Sequence, residues 1–133
     1  MPGVVTTESS AFISRFHVNP QRREEFIEIF DSLWRPHLDF MNAQCNFVFY
    51  GWDRDNKIFY AIESYKDEEL LKELRKSDAF QEQVAKLMEC CDAPMEMELS
   101  RGMDSDASCF DFYPQGPSKV HPVGKNGLGA VFI

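Results

Sequence analysis

The spacing of hydrophobic and polar residues changes several times along the chain, and each change predicts a new structural element. Residues 11–18 alternate between two faces, with Phe12, Ser14 and Phe16 on one of them. A period of two residues is typical of a β-strand, because successive side chains point to opposite faces of a sheet. The chain is therefore predicted to enter its folded part through a strand.

A helix is predicted to begin after this strand, at Asn19-Pro20. Asn is favoured at the N-cap and Pro at the first helical position. From Phe26 onward, apolar residues recur at helical spacing and form a stripe. Pro36 lacks a backbone N–H and clashes with the preceding turn, so we expect the helix to kink or end near Arg35.

Two β-rich runs follow, at residues 45–52 and 57–65. Both are rich in the aromatic and β-branched residues that favour strands. The short polar spacer at residues 53–56 is typical of a hairpin turn. These two runs are therefore predicted to be antiparallel neighbours in one sheet.

A second helical region is predicted to begin at Asp67, and Ser77 or Asp78 is expected to cap it again. The charged residues of the stretch 66–76 are expected on a solvated face. After this region, residues 95–100 alternate Met or Leu with Glu or Ser. That pattern predicts a last strand with one face in water or at the edge of the sheet.

The predicted order is strand, helix, strand, strand, helix, strand, which is the α+β, ferredoxin-like βαββαβ arrangement. Both helices are expected on one face of a four-stranded antiparallel sheet. The first three strands carry apolar residues on both faces, so a homodimer is expected to bury the second face. Residues 1–103 are assigned to this domain, and residues 104–133 to an irregular C-terminal extension that packs on the domain or its dimer mate.

Composition and charge narrow the functional classes. The chain has 133 residues, enough for one core, and a net charge of −8 with no basic face, which disfavours nucleic acid as a partner. No run is long and apolar enough for a membrane span, and the N-terminus lacks the pattern of a signal peptide, so a cytoplasmic protein is expected. The four Cys and three His residues lack metal-ligand spacing, so no metal site is predicted.

Four polar side chains are candidates for catalysis. Tyr65 ends a strand beside a helix start, so it is placed either to donate a hydrogen bond to a substrate or to fill the core. Glu63 shares its face and is either a buried base with a raised pKa or the partner of a cation such as Arg15. Ser14 is either a pocket hydroxyl or a satisfied core hydroxyl. His37, near the helix break, is expected at a pocket mouth or on the surface.

With these elements placed, residues 11–103 resemble the antibiotic biosynthesis monooxygenase domain family. The resemblance is carried by the first strand and helix start, residues 12–26, and by the hairpin strand and second helix, residues 58–80. Within the latter, the sequence Lys-Ser-Asp-Ala-Phe at 76–80 fixes the alignment. The resemblance implies a dimeric α+β barrel with a small-molecule pocket between sheet and helices in each chain.

The resemblance also implies an activity: a monooxygenase that needs no cofactor, neither metal nor flavin, because its deprotonated aromatic or quinol-like substrate supplies the electrons to oxygen. Several positions depart from the family. Tyr65 stands where Trp is frequent, and Leu74 stands where His is frequent. The haem-degrading branch needs an Asn, a Trp and a haem-ligating His where this chain has Ser14, Leu74 and Val84, so haem degradation is disfavoured. The alternatives are a non-catalytic small-molecule-binding protein and a purely structural dimer whose pocket is filled by Phe side chains.

Overall fold

The main element of the structure is a four-stranded antiparallel sheet. The structure is a computed structural model, and it describes residues 10–102 and the backbone of residues 119–122 and 129–132. The strand order is β2-β3-β1-β4, so the last strand of the domain lies at an edge, beside the first. This order confirms the ferredoxin-like α+β fold. The strands are β1 (Ala11–His17), β2 (Cys45–Trp52), β3 (Ile58–Tyr65) and β4 (Glu96–Leu99).

The region between β1 and β2 contains two helices where the sequence predicted one. A 3₁₀ turn begins at Pro20, capped by Asn19, whose Oδ1 accepts a hydrogen bond from the N–H of Gln21. The first helix ends at Trp34, as Pro36 predicted, and a 3₁₀ turn containing Pro36 leads directly into the next helix. The helices are α1 (Arg23–Trp34) and α2 (Leu38–Gln44).

The β2–β3 hairpin is closed by Asp53. Its Oδ1 accepts hydrogen bonds from the N–H groups of Lys57 and Ile58. Asn56 adopts a positive φ of 55°, a conformation that Asn tolerates better than most residues. The predicted antiparallel pairing is confirmed, and it brings Tyr50 opposite Ala61.

The second helical region begins at Asp67 and is divided into two helices at Ser77, and both residues were predicted as caps. Asp67 Oδ1 accepts from the N–H groups of Glu69 and Leu70, and Ser77 Oγ accepts from the N–H of Phe80. Ser77 thereby satisfies one of the free N–H groups at a helix start, and a new helix begins after it. The two helices are α3 (Glu68–Arg75) and α4 (Asp78–Glu89).

The core lies between the helices and one face of the sheet, and it is strongly aromatic. The ring of Phe26 meets the rings of Phe16 and Phe59 edge to face, both at 5.3 Å between centroids. Phe30 meets Phe59 in the same way at 5.0 Å. The quadrupoles of aromatic rings favour edge-to-face packing, so these pairs stabilise the core beyond the burial of their apolar area.

The outer face of the sheet, on the side away from α1 and α4, is defined by Ile13, Arg15, Phe49, Tyr60 and Ile62. Cross-strand register places Phe49 beside Ile62, and Ile62 beside Ile13. Phe49 is 55% exposed. This face therefore presents an apolar row to solvent in the single chain.

Part of the predicted irregular extension contains two short strands, Lys119–Pro122 and Gly129–Phe132, which pair antiparallel. The rest of residues 104–133 lies outside the described residues, and the packing of the extension stays a prediction. Among the described residues, no helix is long and apolar enough to cross a membrane.

Candidate functional site

A cavity of about 230 Å³ lies between the core face of the sheet and helices α1 and α4. Phe16, Phe30 and Phe80 line its walls and leave this space open between them. A cavity of about 150 Å³ with comparable apolar walls holds benzene, so this volume is sufficient for an aromatic ring. The pocket is therefore not filled by the aromatic side chains of the described residues.

Only a few of the side chains that line the cavity are polar. Ser14 and Glu63 come from the sheet, and Arg75 and Gln81 come from the end of α3 and the start of α4. The remaining lining residues are apolar. A mostly apolar pocket with a few convergent polar groups is typical of a small-molecule site.

Glu63 is the buried acidic group of this cavity, with only 4% of its surface exposed. Its Oε2 accepts a hydrogen bond of 2.7 Å from the hydroxyl of Tyr50 and one of 2.8 Å from the hydroxyl of Tyr65. Oε1 accepts no hydrogen bond from any described residue. The two tyrosines therefore hold one carboxyl oxygen and leave the other available to a ligand.

Strand geometry explains this cluster. Tyr65 follows Glu63 by two residues on β3, so both side chains lie on the same face. In the β2–β3 register Glu63 is opposite Val48, and Tyr50 is the next residue of β2 on that face. Diagonal neighbours of this kind are about 7–8 Å apart, within reach of a tyrosine side chain.

Burial is the main influence on the ionisation of the cluster. It raises the pKa of Glu63, while hydrogen bonds from Tyr50 and Tyr65 and the charge of Arg75 act in the opposite direction. Burial, followed by the charge of Glu63, raises the pKa of both tyrosines well above the usual value. Both phenols therefore remain protonated donors at neutral pH, and Glu63 is a stronger base than a solvated carboxylate.

Cys45 is an inert neighbour of this cluster. Burial, followed by the charge of Glu63, raises the pKa of its thiol to about 12. The nucleophilic form of cysteine is the thiolate, and it is scarcely populated here at neutral pH. Cys45 is a packing residue.

Arg75, the last residue of α3, supplies the cation of the cavity. Its guanidinium lies over the ring of Phe12, 4.8 Å from the centroid, and its Nη1 lies 3.9 Å from Met97 Sδ. The charged residues of the stretch 66–76 were predicted to lie on a solvated face. Arg75 is an exception, because it lines the cavity. The ring and thioether beside it provide no neutralising charge.

Of the four candidate residues, two line the cavity, one is bonded to a lining residue, and one lies elsewhere. Ser14 and Glu63 line the cavity. Tyr65 is fully buried behind Glu63 and acts on the cavity through it. His37 lies in the 3₁₀ turn between α1 and α2 and is not one of the lining residues. The catalytic roles of all four remain predictions.

The alternative partner for Glu63, a cation such as Arg15, is not used. Arg15 lies on the outer face and pairs with Glu98 at 2.7 Å. Two residues of this site were not singled out from the sequence: Arg75, which lines the cavity, and Tyr50, which does not line it but donates a hydrogen bond to Glu63. The sequence shows which residues of the strand share a face with Tyr50. It does not show how this strand is aligned with the strand of Glu63, and that register brings the two side chains together.

No group of three or more His, Cys, Asp or Glu side chains that would hold a metal ion occurs among the described residues. Of the described residues, those that line the cavity include one carboxylate and no His or Cys. Its chemistry rests on a proton acceptor, a cation and apolar surfaces.

Comparison with known proteins identifies the fold. No family model matches the sequence, and no curated protein matches it. A conserved protein of Methanosarcina mazei has a similar structure, with a TM-score of 0.62 and 24% identity, over 72% of this chain and 95% of that one. An antibiotic biosynthesis monooxygenase is similar with a TM-score of 0.60 and 14% identity, over 71% of this chain and 99% of that one.

A structure from Caulobacter crescentus, described as a candidate antibiotic biosynthesis monooxygenase, matches with a TM-score of 0.62 and 15% identity, over 75% of this chain and 94% of that one. These similarities confirm the resemblance to the antibiotic biosynthesis monooxygenase domain at the level of the fold. At such low identity, a shared fold does not assign a shared reaction.

Proposed function

We propose that the protein is a cofactor-independent monooxygenase of the antibiotic biosynthesis type, acting on an aromatic or quinol-like small molecule. The observation that carries this proposal is the position of Glu63 in the wall of an apolar cavity, as a buried carboxylate whose Oε1 accepts no hydrogen bond from the described residues. A proton acceptor with a raised pKa in a dry pocket is the group that substrate deprotonation requires. The proposal is also supported by the similarity in fold to structures that are named as monooxygenases or candidate monooxygenases.

In the proposed reaction, Oε1 of Glu63 accepts a proton from an acidic C–H or O–H of the bound substrate. The resulting anion is electron-rich and transfers electrons to molecular oxygen. For an anthrone, a ring CH₂ becomes C=O. One oxygen atom stays in the product and the other leaves as water, so the substrate carbon supplies all the electrons. Tyr50 and Tyr65 hold the carboxylate in place during the proton transfer.

A second candidate function is ligand binding without chemistry. Val84 lines the cavity and Leu74 packs against the core. In the haem-degrading branch of the family, both positions carry chemically active side chains. In the wider family, a His is frequent at the position of Leu74. An apolar pocket without those groups still binds an aromatic molecule. Oxygen consumption separates the two functions, because a binding protein holds the ligand and leaves oxygen untouched.

The test is oxygen uptake by the purified full chain with a panel of quinols and anthrones, in the presence of a chelator. We expect uptake with at least one compound, and a loss of at least about 100-fold in Glu63→Gln, which keeps the shape of the side chain but accepts no proton. Glu73→Gln is the matched control, because Glu73 is exposed on α3 and does not line the cavity.

Two results contradict the proposal. The first is the absence of uptake with every compound, or uptake that the chelator abolishes. The second is full activity in Glu63→Gln. Binding of an anthrone without uptake, measured by calorimetry, would establish the binding function in its place.

A further inference from the structure

Arg75 is a cation in the wall of an apolar cavity, and no carboxylate forms an ion pair with it among the described residues. Its neighbours are the face of Phe12 and the sulfur of Met97. Neither one is an anion. The sulfur accepts a single long contact from Nη1, so the two-pronged pairing that a guanidinium offers to a carboxylate is not used by either neighbour. Arg35, which is exposed, and Arg22, which is half-buried, each bind a carboxylate of their own helix region.

The position of Arg75 is fixed relative to Glu63 by the sheet. Phe12 on β1 is the cross-strand partner of Glu63 on β3. Directly opposite side chains on one face are about 5 Å apart at Cβ, and Arg75 lies over the Phe12 ring. Cation and base therefore line adjoining parts of one cavity.

The corner between α3 and α4 holds Arg75 in this place. The side-chain amide of Gln81, in the first turns of α4, donates a hydrogen bond to the backbone carbonyl of Arg75. Ser77 Oγ both donates to the carbonyl of Leu74 and accepts from the N–H of Phe80. A guanidinium on a restrained corner loses less conformational freedom when it binds an anion.

We propose that Arg75 binds a carboxylate of the ligand, so that the cavity selects an aromatic acid over a neutral aromatic molecule of the same shape. The ring lies between the apolar walls, with its carboxylate on Arg75 and its acidic hydrogen towards Glu63. This inference rests on the proposed function for the orientation of the ligand, and it names the substrate class. The net charge of −8 strengthens the test, because the protein as a whole repels anions.

The experiment is calorimetric titration of the full chain with 2-naphthoate and with 2-naphthamide, which match in shape and differ in charge. We expect the wild type to prefer naphthoate by about tenfold, the ratio typical of one good charge-assisted hydrogen-bonded pair. Arg75→Gln is expected to reduce this preference to about one. Arg75→Lys, which keeps the charge without the fork, is expected to retain part of it.

Lys76→Gln is the matched control, because it removes one positive charge from the next residue, which is exposed and does not line the cavity. It is expected to keep the wild-type preference. The proposal is overturned if the wild type binds both compounds equally or binds neither at millimolar concentration. It is also overturned if Arg75→Gln retains the preference, or if Lys76→Gln loses it to the same extent.

This test is independent of oxygen chemistry. A preference for naphthoate together with no oxygen uptake on any substrate would refute the proposed monooxygenase and leave the ligand class intact. Uptake with neutral anthrones together with no preference would refute the role of Arg75 and leave the monooxygenase intact.

Discussion

The hydroxyl of Tyr65 donates a hydrogen bond of 2.8 Å to Oε2 of Glu63, two residues earlier on the same strand. Tyr65 is completely buried and does not line the cavity, whereas Glu63 does. The tyrosine therefore orients and stabilises the carboxylate from behind without access to a ligand. It is a positioning residue for the proposed base.

The first prediction concerns stability and pH. Burial raises the pKa of Glu63 in the folded chain, so its favourable contribution is present below the unfolded pKa of about 4.3 and is lost as pH rises through the folded value. Glu63→Gln removes this dependence. We expect the free energy of unfolding of the variant, relative to the wild type, to increase from pH 4 to pH 8 in urea denaturation. A difference that is constant over this range would contradict the raised pKa.

The second prediction concerns the two tyrosines. Their hydrogen bonds lower the pKa of Glu63, so Tyr65→Phe and Tyr50→Phe are each expected to raise it. Because the proposed reaction needs the carboxylate form, the acidic limb of the kcat/KM profile should move to higher pH in both variants.

Tyr60→Phe is the control for this measurement, because Tyr60 lies on the outer face of the sheet, away from the cavity. It should leave the acidic limb in place. An unchanged profile in both Tyr65→Phe and Tyr50→Phe would show that Glu63 does not limit the rate as a base.

The third prediction concerns the volume of the cavity. Val84→Phe places a ring in the cavity wall, and we expect it to weaken binding of an aromatic ligand by at least about tenfold. Ala85→Phe introduces the same ring on the exposed side of the same helix and should leave affinity unchanged. Calorimetry measures both, with thermal unfolding as the check on folding. Equal affinities in the two variants would place the ligand elsewhere.

The fourth prediction concerns the outer face. We propose that a second copy of the chain covers it, because Phe49, Ile62 and Ile13 form an apolar row across three strands. Sedimentation equilibrium should give a dimer at micromolar concentration for the wild type. Phe49→Glu should shift it towards monomer, because dimerisation would then bury an unpaired charge.

Leu70→Glu is the control for the oligomeric state. Leu70 is also apolar and exposed, but it lies on α3 rather than on the outer face. The variant should remain dimeric. A monomeric wild type with its C-terminal segment intact would refute the proposed dimer.

Local signals in the sequence predicted most of the fold. Asp53, Asp67 and Ser77 each bond to backbone N–H groups within five residues, so their roles follow from nearby chain alone. The helix α2 was missed because its start has no side-chain cap and only Met41 along it is buried. The second helical region was expected to be capped again, and Ser77 does so.

The candidate site was only partly predictable. Alternation on the strands placed Ser14 and Glu63 on the core face, and both line the cavity. The hydrogen bond from Tyr50 depends on the register between β2 and β3, where a shift of one residue would turn Tyr50 to the outer face. Arg75 looked like one more charge of a solvated helix, because nothing in the local pattern marks the packing of its side chain over Phe12.

By itself, the sequence determined the order of the four strands, the helix caps at Asn19, Asp67 and Ser77, and the alternation of side chains between the two faces of each strand, because these depend on contacts within a few residues. It also placed Glu63 on the strand face that lines the cavity. Only the tertiary structure decided that the Phe residues leave an open cavity, that two tyrosines share one oxygen of Glu63, and that Arg75 lies in the wall beside it. Those features depend on strand register and on packing between distant parts of the chain, which one-dimensional patterns do not encode.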